Sequence, residues 1–127
     1  MGSEKRTVLV VDDEEAIREV VSEYLRSLGF KVLVAQGSSE AYQHLQSDER
    51  IDVLITDLSL PDVDGVALSG VARDLRPQIG VVFITGKTEG FLSRSNVMLP
   101  RSVVLRKPFY FPELLKAVNE SVPQRGK

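Results

Sequence analysis

The sequence contains no cysteine and no tryptophan, and its single histidine is His44. A chain without cysteine forms no disulfide and offers no thiolate to a metal. One histidine is too few for a histidine-rich metal centre, and it leaves almost nothing from which to build a Ser-His-Asp triad. The sequence also lacks an apolar run long enough to span a membrane, and it does not open with a signal-peptide pattern. We therefore expect a cytoplasmic protein.

The chain also has little net charge, because 16 basic residues face 18 acidic ones and leave a balance of −2. Domains that bind nucleic acid usually carry a basic surface, so we expect no direct nucleic-acid contact. A length of 127 residues with 43% hydrophobic residues suits one globular domain. We predict an N-terminal tail over residues 1–6, one folded domain over residues 7–122 and a C-terminal tail over residues 123–127.

Short apolar runs alternate with segments that have helical spacing. The runs that predict strands are residues 7–11, 31–35, 53–56, 81–84 and 103–105. The segments that predict helices are residues 17–28, 38–45, 68–75 and 112–122, with Ser38 or Ser39 expected to cap the second. Residues 86–102 are harder to interpret, and we predict one short or mobile helix there. Alternating strands and helices indicate an α/β fold, a parallel sheet between two helix layers.

Polar side chains follow four of these strands. In an open parallel sheet, ligands bind beyond the carboxyl ends of the strands. The residues at these ends are Asp12 and Asp13, then Asp57, then Thr85, then Lys107. Carboxylates brought together raise one another's pKa or recruit a cation, and a set of oxygen ligands suits Mg²⁺.

This combination of side chains suits phosphoryl transfer, with Asp57 as a nucleophile that forms an aspartyl-phosphate. A cation held by Asp13 and Asp57 would take one phosphoryl oxygen, while Lys107 and Thr85 would take the others. The alternative is structural, because acidic residues after a strand often only cap the next helix. Asp12 and Asp13 alone fit both explanations, but the joint pattern across four strand ends favours a site.

Four motifs make the chain resemble the receiver domains of response regulators over nearly its whole length, roughly residues 6–122. They are VVDDE at 10–14, TDLSLPDVDG at 56–65, FITG at 83–86 and RKPF at 106–109. The resemblance implies a flavodoxin-like (βα)5 fold with a five-stranded parallel sheet in the order 2-1-3-4-5. It also implies a role in two-component signalling.

The resemblance also implies a role for each matching residue. Asp57 matches the phosphoacceptor, Thr85 the switch hydroxyl and Lys107 the invariant lysine, whose bond to Pro108 is expected to be cis. The Mg²⁺ ligands would be Asp12, Asp13, Asp57 and the backbone carbonyl of Ser59. The phosphoryl donor would be a phosphohistidine on a histidine kinase or histidine phosphotransfer protein. Such a domain is not an enzyme beyond its own Mg²⁺-dependent phosphorylation and dephosphorylation.

In this family, phosphorylation alters the face formed by the fourth helix, the fifth strand and the fifth helix, and that face also allows a homodimer. Many members carry an aromatic residue at the position of Val104, so their aromatic switch cannot be assumed here. Together with Gly86 after Thr85, this resembles receivers attached to hybrid histidine kinases. Tyr110 and Phe111 would either form an apolar patch for a partner or staple the last helix.

Two other functions compete with this hypothesis. A degenerate receiver would act as a protein-binding module without phosphorylation, but such domains usually lack one of the residues that are present here. Phosphatases of the haloacid-dehalogenase type also use a strand-end aspartate with Mg²⁺. They place it after the first strand in an Asp-x-Asp pattern, whereas this chain has adjacent Asp12 and Asp13.

Overall fold

A computed structural model describes residues 6–58, 65–86 and 101–122 of the chain. The strands are β1 (Thr7–Val11), β2 (Lys31–Ala35), β3 (Val53–Asp57), β4 (Gly80–Thr85) and β5 (Ser102–Arg106). They form one sheet in the order β2-β1-β3-β4-β5, and every neighbouring pair is parallel. The α/β class and the strand order implied by the resemblance are therefore confirmed.

Helices cover both faces of this sheet. They are α1 (Glu15–Ser27), α2 (Ser38–Gln46), α3 (Gly65–Leu75) and the last helix (Phe111–Ser121). Within the described ranges, no helix combines the length and the apolar character needed to cross a membrane. The helix predicted within residues 86–102 falls mostly on residues 87–100, which lie outside the described ranges, as do residues 1–5 and 123–127. The predicted domain limits stay a prediction.

The core consists of two apolar layers, one on each face of the sheet. Leu9 and Val11 of β1 face the layer that contains α2 and α3, whereas Val8 and Val10 face the layer that contains α1 and the last helix. All four side chains are buried. Because both faces of the strands are covered, each strand reads as a continuous apolar run rather than an alternating one.

The helix ends agree only in part with the sequence prediction. Helix α1 stops before Gly29, which has a φ of 98° in the left-handed region that favours glycine. The serine cap predicted for α2 is wrong: Gly37 is the N-cap and Ser38 is already helical. The reason is visible just upstream, where the carboxylate of Glu40 accepts the N–H of Gln36 at 2.7 Å. The chain enters the helix through this bond, without a hydroxyl cap.

Side chains from two helices bond the outer edge of β2, which pairs on its other side with β1 and is an edge strand among the strands that the structure describes. A guanidinium nitrogen of Arg26 donates to the carbonyl of Val32 at 3.1 Å. Nε2 of His44 lies 3.0 Å from the carbonyl of Val34. A carbonyl only accepts, so Nε2 carries the proton in this contact. His44 is half-buried and bonds the sheet edge.

The last helix separates the roles of the two aromatic residues at its start. The carboxylate of Glu113 accepts the N–H of Tyr110 at 2.8 Å, which closes the first turn. The ring of Phe111 stacks on Tyr24 of α1 with centroids 4.5 Å apart and planes at 16°. Phe111 is 37% exposed and Tyr110 79% exposed. Phe111 therefore joins two helices, while the side chain of Tyr110 projects into solvent.

Candidate functional site

Four strand ends meet at the carboxyl edge of the sheet. Asp57 is the last residue of β3 and Thr85 is the last residue of β4, while Asp12 and Lys107 come directly after β1 and β5. The ladder pairs Asp57 with Ile84, one residue before Thr85. The backbone N–H of Lys107 donates to the carbonyl of Thr85 at 2.8 Å. The register of the parallel strands thus brings these predicted site residues to one place.

Three carboxyl groups form a cluster at this edge. Asp12, Asp13 and Asp57 each offer an oxygen that lies within 4.8 Å of the others. Asp12 is only 2% exposed and the side chain of Asp57 12% exposed, whereas Asp13 faces solvent. Two ionised carboxylates within this separation repel by at least about 3.5 kcal/mol at an effective dielectric constant of about 20. The cluster therefore favours a positive partner.

Lys107 supplies one positive charge. Its Nζ lies 3.1 Å from Oδ2 of Asp57, and its side chain is 28% exposed. The peptide bond between Lys107 and Pro108 is cis, as the resemblance implied. The ammonium therefore contacts the residue that the sequence singles out as the nucleophile.

Burial and charge shift two of the pKa values at this edge. Burial raises the pKa of Asp12 above its usual 3.8, and the charges of Asp57 and Asp13 add to this, while the N–H of Glu14 and the charge of Lys107 oppose it. Burial works to lower the pKa of Lys107. The hydrogen bond and charge of Asp57, with smaller effects from Asp12 and Glu14, outweigh burial and raise it. Lys107 thus stays charged, and the Asp12 carboxylate is costly in the absence of a cation.

These residues fit a magnesium ion. Their donors are all carboxylate oxygens, which hard cations prefer, and Mg²⁺ usually binds through one or two carboxylates with several waters. A buried carboxylate with a raised pKa gains from a cation, because the cation offsets the cost of its charge. Ser59, whose carbonyl the resemblance adds as a ligand, lies outside the described residues, so its role stays a prediction.

Hydrogen bonds to its backbone and its side chain hold Asp12 in place, and the sequence analysis did not predict the one from Arg18. The N–H of Asp12 donates to Ala35 of β2 at 3.2 Å, and its Oδ1 accepts the N–H of Glu14 at 2.9 Å. The guanidinium of Arg18 donates to the Asp12 carbonyl at 2.7 Å. A basic residue so near a helix N-terminus is unfavourable for the helix dipole, and this was the signal available in the sequence.

Gly65 begins α3 directly against the backbone of Asp57. Its N–H donates to the carbonyl of Leu58 at 2.9 Å. A Cβ at this position would lie 2.5 Å from the carbonyl oxygen of Asp57. Real Cβ atoms do not approach an oxygen so closely, so only glycine lets α3 pack here without moving Asp57.

Thr85 and Val104 occupy the positions that the resemblance links to switching. Thr85 is fully buried. Val104, in place of the aromatic residue of many family members, pairs with Phe83 in the sheet and packs partly buried against the core layer that contains α2 and α3. An aliphatic side chain held in this way has no ring to rotate between two environments.

Comparison with known proteins gives the family. The sequence model of the family "Response regulator receiver domain" matches residues 8–119. This chain belongs to the response regulator receiver domain family. Receiver domains work in two-component signalling, where they interact with histidine kinases or phosphotransfer proteins, and they are generally not enzymes in their own right.

Curated relatives of this receiver domain differ in length. The response regulator receiver protein CpdR of Brucella abortus is 27% identical over 115 residues, which are 91% of this chain and 95% of CpdR. The transcriptional regulatory protein FixJ of Rhizobium meliloti is 33% identical over 115 residues, 91% of this chain and 56% of FixJ. The sensor kinase CckA of Brucella abortus is 29% identical over 94% of this chain, which spans 13% of CckA. The chain thus matches almost the whole length of CpdR, but only parts of the longer proteins FixJ and CckA.

Solved structures share the fold of this receiver domain. A response regulator receiver protein from Sinorhizobium medicae superposes with a TM-score of 0.84 and 30% identity, covering 93% of this chain and 94% of that one. The receiver domain of the hybrid histidine kinase CckA gives a TM-score of 0.76 and 30% identity, covering 92% and 99%.

Proposed function

We propose that this receiver domain takes a phosphoryl group on Asp57 from the phosphohistidine of a histidine kinase or histidine phosphotransfer protein. The observation that carries the proposal is the contact of 3.1 Å between Lys107 and Asp57, at an edge where Asp12 and Asp13 also present carboxylates. A partly buried carboxylate beside a cation and two further acidic groups matches what an aspartyl-phosphate needs around it.

The transfer replaces one bond to phosphorus with another. A carboxylate oxygen of Asp57 attacks the phosphorus, and the bond from phosphorus to the donor imidazole nitrogen breaks. The electron pair of that bond stays on the nitrogen, which takes a proton from solvent. Asp57 becomes an acyl phosphate, a mixed anhydride that water can later hydrolyse. Because the protein supplies mainly position and charge for such a transfer, the arrangement of groups at the strand ends decides its rate.

Each residue at the edge has a proposed role in this step. Lys107 neutralises charge on one phosphoryl oxygen, and the hydroxyl of Thr85 donates to another. Asp12, Asp13 and Asp57, with the carbonyl of Ser59, would hold Mg²⁺. When bound, this ion neutralises negative charge on the transferred group and on the carboxylates around it.

The consequence proposed for phosphorylation is a change of partner contacts. Thr85 would move toward the phosphoryl group, and the shift would alter the face to which β5 and the last helix contribute, as in a two-state element biased by new charge-assisted bonds. A homodimer through that face, attachment to a hybrid kinase and a cytoplasmic location stay predictions.

The direct test is the intact mass of the protein after incubation with acetyl phosphate and Mg²⁺. We expect wild type to gain one phosphoryl group, and we expect Asp57→Asn to gain none. Asp74→Asn is the matched control, because Asp74 is an exposed aspartate near the end of α3 opposite to Gly65, which packs against Asp57. It should be phosphorylated like wild type. Adding EDTA should abolish the gain in mass of wild type and of Asp74→Asn. Hydroxylamine should remove the phosphoryl group from both, as expected for an acyl phosphate.

Other outcomes of this test point to other functions. If wild type gains no mass with acetyl phosphate but is labelled by a phosphorylated kinase, the domain depends strictly on its partner. If neither donor works and the protein binds no Mg²⁺, the chain is a degenerate receiver that acts as a binding module. Labelling that persists in Asp57→Asn would assign the acceptor to another residue.

A further inference from the structure

Arg18 makes a contact that is unusual for a cationic side chain near a helix N-terminus. It lies in the second turn of α1, and its N–H bonds the carbonyl of Glu14 at 3.0 Å. Its guanidinium folds back past the start of the helix and donates to the carbonyl of Asp12 at 2.7 Å. The side chain is half-buried. A half-buried charged donor at this distance makes one of the stronger kinds of hydrogen bond in proteins.

This bond completes the attachment of Asp12. Its N–H is bound to β2 through Ala35, and its Oδ1 accepts the N–H of Glu14 at the entry to α1. The guanidinium of Arg18 bonds the carbonyl of Asp12, which belongs to the peptide that joins Asp12 to Asp13. The turn between β1 and α1 is therefore fixed from the strand, from the helix entry and from the body of the helix.

The charge of Arg18 alone would act against a cation site. The guanidinium bonds the backbone of Asp12, whose carboxyl belongs to the cluster. A positive charge there adds positive potential, and this weakens the binding of a divalent ion. If Arg18 contributes to cation binding at all, it has to do so through position. Removal of Arg18 should therefore weaken Mg²⁺ binding if the residue acts through position, and strengthen it if the residue acts through its charge.

We propose that Arg18 is a positioning residue for the metal site. By holding the Asp12 carbonyl, it keeps the carboxylates of Asp12 and Asp13 within reach of Asp57 before any ion arrives. This inference rests on the proposed function, because it assigns a role within the same site. Outer residues that orient metal ligands commonly change affinity by about tenfold or more when they are removed.

The test compares Mg²⁺ affinities by isothermal titration calorimetry for wild type, Arg18→Ala and Arg26→Ala. Arg26 is the matched control, because it lies on the same helix and also donates from its guanidinium to a backbone carbonyl, that of Val32 at 3.1 Å. Within the described ranges, its guanidinium makes no hydrogen bond to Asp12. We expect Arg18→Ala to raise the Kd for Mg²⁺ about tenfold, and we expect Arg26→Ala to leave it within about twofold.

Two further readouts separate position from general stability. Urea unfolding in EDTA should show a similar decrease in the free energy of unfolding for the two alanine variants, since each lacks one hydrogen bond from a guanidinium to a carbonyl. Hydrogen exchange of the Asp13 and Glu14 amides in EDTA should rise only when Arg18 is replaced. Should Arg18→Ala fail to fold, Arg18→Met keeps the apolar stem of the side chain and removes only the donor.

The outcomes are distinct. An unchanged or lower Kd for the Arg18 variants would overturn the inference, because charge alone predicts tighter binding. Equal losses of Mg²⁺ affinity in the Arg18 and Arg26 variants would also overturn it, because they would show a general effect of α1. If wild type itself binds no Mg²⁺, the proposed metal site fails and the inference fails with it.

Discussion

Nζ of Lys107 lies 3.1 Å from Oδ2 of Asp57, although 50 residues separate them in the chain. Asp57 ends β3 and Lys107 follows β5, and β4 lies between these two strands. The ammonium therefore reaches across a whole strand to contact the acceptor. The ammonium of Lys107 therefore bonds one oxygen of Asp57. The carboxylates of Asp12 and Asp13 at the same edge favour the binding of a metal cation.

Replacing Lys107 should have opposite effects on metal binding and on phosphorylation. Lys107→Met removes a positive charge that competes for Asp57, so we expect the Kd for Mg²⁺ to fall several-fold. It also removes charge stabilisation of the transferred group, so we expect phosphorylation by acetyl phosphate to slow by about a hundredfold. Calorimetry and time-resolved intact mass measure the two effects. Lys116→Met, an exposed lysine on the last helix, is the control. If Mg²⁺ affinity and the rate of phosphorylation both fell, the result would argue that Lys107 only maintains the fold.

Asp12→Asn should stabilise the protein in the absence of metal. Burial raises the pKa of Asp12 above its usual 3.8, so the folded state binds the proton more tightly than the unfolded state does. The ionised carboxylate therefore destabilises the fold at pH values above the folded pKa, by about 1.4 kcal/mol for each unit of the shift. We expect the variant to exceed wild type in free energy of unfolding at pH 7 in EDTA.

The pH dependence of this difference is a stricter check. As the pH falls through the folded pKa toward 3.8, Asp12 becomes protonated and its cost disappears. The stability gap between Asp12→Asn and wild type should therefore shrink on acidification, as measured by urea unfolding at a series of pH values. A gap that stays constant from neutral to acidic pH would show that the Asp12 charge is not its cause.

Gly65→Ala should disturb the acceptor. The added Cβ would sit 2.5 Å from the carbonyl oxygen of Asp57, so the backbone of Asp57 or the start of α3 has to shift. We expect a loss of about 1–3 kcal/mol in stability and slower phosphorylation. Gly70→Ala is the control on the same helix, since its Cβ would meet nothing within 4 Å. It should gain about 1 kcal/mol from the higher helix propensity of alanine. If both variants gained stability, the close approach at Gly65 would be refuted.

The two aromatic residues at the start of the last helix should behave differently. Phe111→Ala removes the stacked contact with Tyr24, and we expect it to lower the free energy of unfolding by about 1–2 kcal/mol. Tyr110→Ala removes a side chain that is 79% exposed and should change stability by less than about 0.5 kcal/mol. Chemical denaturation measures both. A larger effect from Tyr110→Ala than from Phe111→Ala would contradict this division of roles.

The sequence predicted most of the fold because burial on both faces makes each parallel strand a continuous apolar run. It also predicted which residues come together, since residues directly after such runs have to meet at one edge of the sheet. Asp12, Asp57 and Lys107 are brought together there for this reason. Their individual roles, like that of Thr85, remain to be tested by the measurements above.

Features that depend on long side chains were not predictable in this way. Val20 and Leu28 are apolar residues of the segment whose spacing predicted α1, but both are about half exposed. The bond from Arg18 to Asp12 depends on the rotamer of a flexible side chain, which periodicity does not report. The cap of α2 went to Gly37 because Glu40 had already engaged the preceding backbone.

The side chains that bond the outer edge of β2 limit how anything can join the sheet there. A strand arriving at this edge would need the carbonyls of Val32 and Val34 and the N–H of Gln36, and these already bond Arg26, His44 and Glu40. An open edge acts as a template for any extended peptide, whatever its sequence. An added strand would first have to displace the side chains of Arg26, His44 and Glu40. The outer edge of β2 therefore resists the addition of a further strand, because side chains of the domain itself already bond its backbone.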